Sequence, residues 1–484
     1  MNKKVIIIGA GGAGLAVLSV MLKQEFDALI LEKNSDVGGV WLSTRYPNLR
    51  IHSKSFNYRF IDFHPIKSVT DRATGVEVLN YMKDYATAKD LYKNIRFNTK
   101  VFKIVRKKNK KCEVYTVNTS NNEQQLFECD IVICALGFIN AGTPHIPHFI
   151  NEAKYQGTIV HSSEFNNSML DDILSNQKKV IVLGAGRSAH DILILFEKLK
   201  NNITWLYTKS LWSLSFERLY NNNNKFSWNF LKILYGYYLI LLKIRYVFPK
   251  YNSIMRWLQK PLVNTLLLNP LEPNTDIFQN RRALMGWQQF HYLQTIKSIK
   301  SNIEMLDEYA VKLTNGQILA ADYIICATGY DRIANLPQII IENENETNEE
   351  YDPKTKNLLY NMLDMDIPEL AFFMTDGIYI QQLLSYSIAG QWLARFYKER
   401  LANNPDFLNR CSALMTKYQH QWYVPNRYLS NGSSYAHEKK NEYVLPLLLQ
   451  DLGIGKKFAK ALLHSSTNER IFNQVILKMI DKLF

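Results

Sequence analysis

The chain has 484 residues, 47% hydrophobic and 21% charged. At roughly 150 residues per domain this length calls for two to three domains, and the apolar fraction excludes a disordered chain. Lys and Arg number 58 against 44 Asp and Glu, a net charge of +14, which leaves nucleic acid, an anionic membrane and an anionic small ligand open as partners.

Residues 5–8 are a continuous apolar, β-branched run, the pattern of a strand buried on both faces of a parallel sheet. The N-terminus resembles the start of a signal peptide, but its apolar run breaks into glycines at once, so it reads as a first strand. A helical pattern follows through Leu15, Leu18, Met21 and Leu22, then a second buried strand at 28–31. This β–turn–α–β order returns at 179–183, with a helix expected through Ile192, Leu195 and Leu199 and a strand at 203–207. Each unit is followed later by an apolar strand ending in glycine, at 130–137 and 322–329. Residues 97–105 and 113–117 alternate as strands around a polar hairpin at 107–111. Residues 221–224 are an Asn run, 231–268 are aromatic and apolar at helical spacing, and 342–350 read as an acidic loop. The tail from about Asn403 has helical periodicity. The most membrane-like stretch, 233–242, is shorter than the ~20 residues a spanning helix needs.

Five cysteines, Cys112, Cys129, Cys134, Cys326 and Cys411, lie at irregular spacing without a CxxC pair. That excludes a disulfide framework and speaks against a zinc site or a dithiol redox centre; no metal site is expected. A reducing, cytoplasmic compartment fits this usage. Cys134 and Cys326 lie in apolar runs and read as buried small hydrophobes.

Two glycine motifs carry the chemistry. Gly9-x-Gly11-x-x-Gly14 follows a strand and opens a helix. Gly9 permits the tight turn, Gly11 lets backbone approach a pyrophosphate, and Gly14 allows close helix packing, while the helix N-terminus presents N–H groups to phosphate. Glu32, at the end of the second strand, suits ribose hydroxyls and repels a 2′-phosphate, so FAD or NAD fits better than NADP. The second motif, Gly184-Ala-Gly186-Arg187-Ser188-Ala189, has no acidic residue after its next strand; the chain reads Tyr207-Thr208-Lys209-Ser210 instead. Exchanging a carboxylate for a cation and a hydroxyl is the change needed to accept a 2′-phosphate, with Lys209 as partner and Arg187 as a second cation. The plainer alternative is that Lys209 is a solvated surface lysine.

The run Glu32-Lys33 followed by Gly38-Gly39-Val40-Trp41 resembles the flavin-containing monooxygenase superfamily, whose fold is two Rossmann-like dinucleotide-binding domains. So do the GxGxS[GA] form of the second motif, the segment Tyr155-x-Gly157-x-x-x-His161-x-x-x-Phe165, and Ala327-Thr328-Gly329-Tyr330. By that resemblance Gly39, Val40 and Trp41 run along FAD, Val101 lies near its adenine, and the second motif takes NADPH. The strand-end glycines, Gly137 and Gly329, are implied to bring backbone back to the flavin domain. His161 is implied to be a linker residue rather than a proton-transfer group. His52 falls where relatives carry an Asn or Asp beside the flavin, and reads either as a donor to the flavin side or as a turn-capping residue. Arg281-Arg282 falls where Baeyer–Villiger relatives carry Lys-Arg, which makes Arg282 a second catalytic candidate against the plainer reading of a solvated pair. The resemblance implies an NADPH- and O2-dependent enzyme acting through a C4a-(hydro)peroxyflavin on a small, largely apolar substrate. Phe165, in place of Trp, and the absence of Asp at position 52 favour oxygenation at nitrogen or sulfur over Baeyer–Villiger insertion. A redox sensor or NADPH oxidase on the same fold is the alternative of another class.

The expected architecture is therefore α/β: 1–165 as the first part of an FAD-binding domain, 166–327 as an NADPH-binding domain nested in it, and 328–484 as its second part with a helical tail. A helical lid is expected at about 220–270. Its Trp228, Tyr235 and Trp257 among Lys and Arg fit a cover over an apolar substrate, or a surface touching anionic lipid. The basic residues are otherwise dispersed and form no nucleic-acid fingerprint. The oligomeric state is left open.

Overall fold

The computed structural model describes residues 3–43, 46–51, 53–137, 143–210, 212–215, 271, 282–285, 287–331, 336–343, 348–353, 356, 358–360, 362–373, 382–422, 451–452 and 474–475. It divides into two compact units, Met1–His145 with Tyr330–Phe484, and Ile146–Gly329.

In the first unit five strands run parallel in the order Leu370–Phe372, Ile131–Cys134, Lys4–Ile8, Asp27–Leu31, Ile95–Arg96. The apolar runs at residues 5–8 and 28–31, and those of Ile131–Cys134 and Leu370–Phe372, follow from having a core on each face. Val5, Ile7, Ala28, Ile30, Ile131 and Ile133 join the core built with helix Gly12–Lys23 and with Trp392, Leu393 and Phe396 of helix Gln382–Leu401. Ile6, Ile8, Leu31, Val132 and Cys134 face the other way, onto Val101, Ile104, Val114 and Ile339. Those residues belong to a second five-stranded sheet, ordered Asn348–Glu350, Gln338–Glu342, Thr99–Arg106, Cys112–Asn118, Gln124–Cys129. Each fully buried Val, Ile or Leu contributes roughly 1.5–3 kcal/mol. Helix Gly75–Ala88 starts at a capping box, Thr74 Oγ1 accepting from Glu77 N at 3.2 Å while Thr74 N donates to Glu77 Oε2 at 2.7 Å.

The second unit repeats the plan. Its sheet, also parallel, is ordered Lys297–Lys300, Ile203–Tyr207, Val180–Leu183, Tyr323–Cys326, Thr158–His161. Strands Ile303–Asp307, Ala310–Leu313 and Ile318–Ala320 form an antiparallel meander.

Several expectations are corrected. The helix after the second motif runs Arg187–Ile194, and Leu199 has non-helical angles in the turn that follows. The strand expected at 97–105 is interrupted at Asn98, whose φ is +52°, between Ile95–Arg96 and Thr99–Arg106. The segment 342–350, read as an acidic loop, contains the exposed edge strand Asn348–Glu350, which pairs antiparallel with Gln338–Glu342, whose Ile339 and Ile341 are buried in the core. The tail's helix Pro405–Trp422 follows another, Gln382–Leu401, that the sequence reading did not name. His52, the expected lid at about 220–270 apart from Leu271 beside it, and the Asn run lie outside the described residues. No helix among the described residues is long and apolar enough to cross a membrane.

Candidate functional site: two glycine turns at strand ends

At the first motif, Gly9 N donates to Leu31 O at 2.9 Å, closing the turn between the first two parallel strands. Gly9 has φ +101°, and a Cβ there would stand 2.9 Å from Ala135 O. A Cβ on Gly14 would stand 1.9 Å from Gly9 O. These two glycines are required by the fold itself. Gly11 is different. Its φ is −77°, open to any residue, and its nearest would-be neighbour is Gly39 Cα at an ordinary 3.6 Å. The Gly38–Gly39 turn is tied to this loop by Gly38 N donating to Ala10 O at 3.0 Å.

Glu32 is 4% exposed and follows strand Asp27–Leu31. Its Oε2 accepts from Ala10 N at 2.6 Å. Its Oε1 accepts from Asn34 N at 2.9 Å and from Asn34 Nδ2 at 2.7 Å. The carboxylate thus organises the glycine turn and is itself oriented by Asn34, a residue the sequence reading did not single out.

Val40 and Trp41 begin the short helix Val40–Ser43. Trp41 Nε1 donates to Tyr58 OH at 3.0 Å, with the rings edge-to-face at 5.9 Å. Burial pushes the Tyr58 phenol well above its usual range, although the bond from Trp41 opposes this. Val101 is buried against Ile6, Ile8 and Leu31.

The second motif reproduces this geometry in the same register. Ile8 pairs with Cys134 in the first sheet and Leu183 with Cys326 in the second. Gly184 N donates to Leu206 O at 2.9 Å. Gly184 has φ +121°, and a Cβ would meet Ala327 O at 2.4 Å. The Ala327-Thr328-Gly329 strand end therefore backs onto the second unit's own glycine turn, as Ala135-Leu136-Gly137 backs onto Gly9, and directly after Gly329 the chain re-enters the first unit at Tyr330. Ala189, fully buried, takes the place that Gly14 holds in the first unit. Gly186 has φ −83°, and a Cβ there would meet nothing among the described residues within 4 Å.

Arg187 opens the helix. It donates through Nε to Asp191 Oδ2 at 3.1 Å, pairs with Asp191 Oδ1 at 2.8 Å, and donates to Gln289 Oε1 at 3.4 Å. Its charge is already met on its own helix, which the sequence reading of a second phosphate cation did not foresee. Ser188 occupies the next helical position, half-buried. Lys209 is exposed, two residues beyond strand Ile203–Tyr207, and Ser210 is 2% exposed. Arg282 opens strand Arg282–Met285, its Cα paired with Trp212.

His161 is fully buried at the end of strand Thr158–His161. Ser163 N donates to its Nδ1 at 3.2 Å, so Nε2 carries the proton and donates to Gly329 O at 2.9 Å. This positions backbone, in keeping with a linker role. His190, missed from sequence, is buried edge-to-face against Trp205 at 5.4 Å, while Trp205 Nε1 donates to Gly184 O at 2.7 Å. Burial, reinforced by Arg187, lowers its pKa to about 3, so it is a neutral packing residue. Cys112 and Cys129 face each other as Cα partners on adjacent strands, both buried. That pairing was invisible in the spacing; the hydrogen bond with Cys129 and burial hold the Cys112 thiol far above its usual range, which keeps that thiol protonated and unreactive. Burial raises the Cys134 and Cys326 thiols to about 12.

A strand, a glycine turn, a helix N-terminus and a second strand end, built twice on parallel sheets, define a protein with two dinucleotide-type folds. The chain belongs to the flavin-binding monooxygenase-like family, whose model matches residues 2–339. It is 28% identical over 235 residues to flavin-containing monooxygenase 1 of Canis lupus familiaris, covering 44% of this chain and 42% of that protein. It is 23% identical over 349 residues to dimethylaniline monooxygenase [N-oxide-forming] 2 of Mus musculus, covering 68% of this chain and 62% of that one. The chain thus spans from about two fifths to three fifths of the length of these relatives. Among solved structures, an oxidised steroid monooxygenase bound to NADP superposes with TM-score 0.65 at 17% identity, covering 94% of this chain and 98% of that one.

Proposed function

We propose that the protein binds FAD at its first glycine turn and NADPH at its second and, with O2, oxygenates a small, largely apolar substrate at nitrogen or sulfur. The observation that carries this is the division among the glycines. Gly9, Gly14 and Gly184 are demanded by packing or by positive φ, whereas Gly11 and Gly186 have ordinary angles and no atom of the described residues pressing on them. Their missing side chains leave room for a group that approaches the backbone from outside, where the helix N–H groups favour an anion.

Glu32 then holds a ribose hydroxyl at the first turn, and Gly39, Val40, Trp41 and Val101 follow the rest of FAD. At the second turn Ser188 and Ser210 donate to phosphate and Lys209 meets the 2′-phosphate. Once bound, the two cofactors supply hydride transfer and activation of dioxygen. His52 is proposed as a proton donor to the flavin and Arg282 as a catalytic cation. The preference for nitrogen or sulfur rests on Phe165, which is fully buried against Phe196, and on relatives named for N-oxide formation.

The test is incubation of the FAD-loaded protein with NADPH and 18O-labelled O2 on amine, thioether and ketone panels, with products read by mass spectrometry. One labelled oxygen in an N-oxide or sulfoxide is expected. A labelled ester from a ketone would overturn the choice of atom; NADPH consumption matched by peroxide, with no labelled product on any panel, would overturn the monooxygenase reading.

A further inference from the structure

Two lysines distant in sequence, Lys209 and Lys300, lie at the same end of the second unit's sheet. Strand Lys297–Lys300 lies beside Ile203–Tyr207 in parallel, with Lys300 the Cα partner of Tyr207. Ser301 N donates to Tyr207 O at 3.1 Å, so the two strands run out at one edge. Lys209 follows Tyr207 by two residues, and both lysines are exposed. Neither strand end, 207–210 or 300–302, contains an Asp or Glu. Arg187, at the start of the motif helix, is held by Asp191 and Gln289.

In a doubly wound unit the adenosine ribose lies over the end of the second strand. Neighbouring parallel strands are about 4.8 Å apart, so a lysine at the end of the third strand is within one side chain's reach of the same ribose. A 2′-phosphate carries close to two negative charges and is best met by more than one cation. We propose that Lys300 is a specificity-determining residue, which together with Lys209 forms the 2′-phosphate site, Arg187 taking no part in the choice between NADPH and NADH. The inference rests on the reading of this unit as the NADPH site.

The test is equilibrium binding of NADP+ and NAD+ to the FAD-loaded full chain, followed by intrinsic fluorescence, with 2′,5′-ADP and 5′-ADP as fragments. Lys300→Gln is expected to weaken NADP+ and 2′,5′-ADP about tenfold and to leave NAD+ and 5′-ADP within about twofold. Lys300→Arg is expected to keep the preference, and the salt dependence of NADP+ binding is expected to be shallower in Lys300→Gln than in the parent. Equal weakening of both nucleotides, or no change in either, would overturn the role of Lys300 while leaving the NADPH reading intact. A parent protein that binds NAD+ as tightly as NADP+ would overturn the NADPH reading itself.

Discussion

Glu32→Gln isolates what one carboxylate contributes to the first turn. Glu32 accepts three hydrogen bonds, from Ala10 N, Asn34 N and Asn34 Nδ2, and Ala10 is fully buried. A Gln can keep its carbonyl toward Asn34, but its NH2 then faces the Ala10 N–H, donor against donor. Leaving that buried N–H without an acceptor costs about 1–3 kcal/mol. The two bonds from Asn34 fall from charge-assisted to neutral, roughly another 1 kcal/mol together. Flipping the amide is worse, because it sets the NH2 against both donors of Asn34. The expected loss is about 2–4 kcal/mol, read from urea unfolding of the FAD-free protein, with FAD affinity falling as well. A variant whose unfolding free energy lies within ~0.5 kcal/mol of the parent would refute the claim that this carboxylate organises the turn.

Two other perturbations address neighbouring features. Tyr58→Phe keeps the ring against Trp41 but removes the acceptor of its indole N–H. A loss of ~1 kcal/mol is expected, with a shift in tryptophan emission, and Trp41→Phe should abolish any further effect of Tyr58→Phe; strictly additive losses would show the two side chains to be independent. Asp130 is pushed up by burial, but hydrogen bonds from Lys111, Lys3 and Lys4 N outweigh this and hold its carboxyl down at about 2. Its stabilising contribution is therefore present above the usual carboxylate pKa and is lost as pH falls toward 2. Asp130→Asn should be less stable than the parent at pH 7, and the gap should close between about pH 4 and pH 2; a gap independent of pH would count against the ion pairs.

The parallel strands Lys4–Ile8, Ile131–Cys134, Val180–Leu183 and Tyr323–Cys326 were legible because each is a short apolar run rich in β-branched residues, whereas Lys297–Lys300, mostly polar and exposed, and the three-residue Leu370–Phe372 carry no such pattern. The glycine roles were legible too, since Gly9 and Gly14 answer to local geometry. What could not be read depends on register or on distant chain. Gln289 reaches Arg187 only because helix Trp287–Thr295 docks beside the motif helix. Cys112 meets Cys129 through the register of a hairpin whose turn has no strong Gly signal. The early stop at Ile194 was missed because Leu195 and Leu199 continue the helical spacing while the backbone turns away. Asn34 was missed for another reason: a polar residue after a strand looks like any loop residue until its partners are seen.

The discontinuous make-up of the first unit has a consequence for synthesis. Strand Leu370–Phe372 covers one side of Ile131–Cys134, yet it is made more than two hundred residues later. The contiguous unit Ile146–Gly329 has all its strands as soon as it emerges, whereas the first sheet waits with an apolar strand bare along one edge. Domains fold as they leave the ribosome at about 5–20 residues per second, so that edge stays open for tens of seconds at the slower rates. A nascent chain halted before residue 370 would expose an unpaired, fully apolar parallel strand, the kind of edge that recruits other chains.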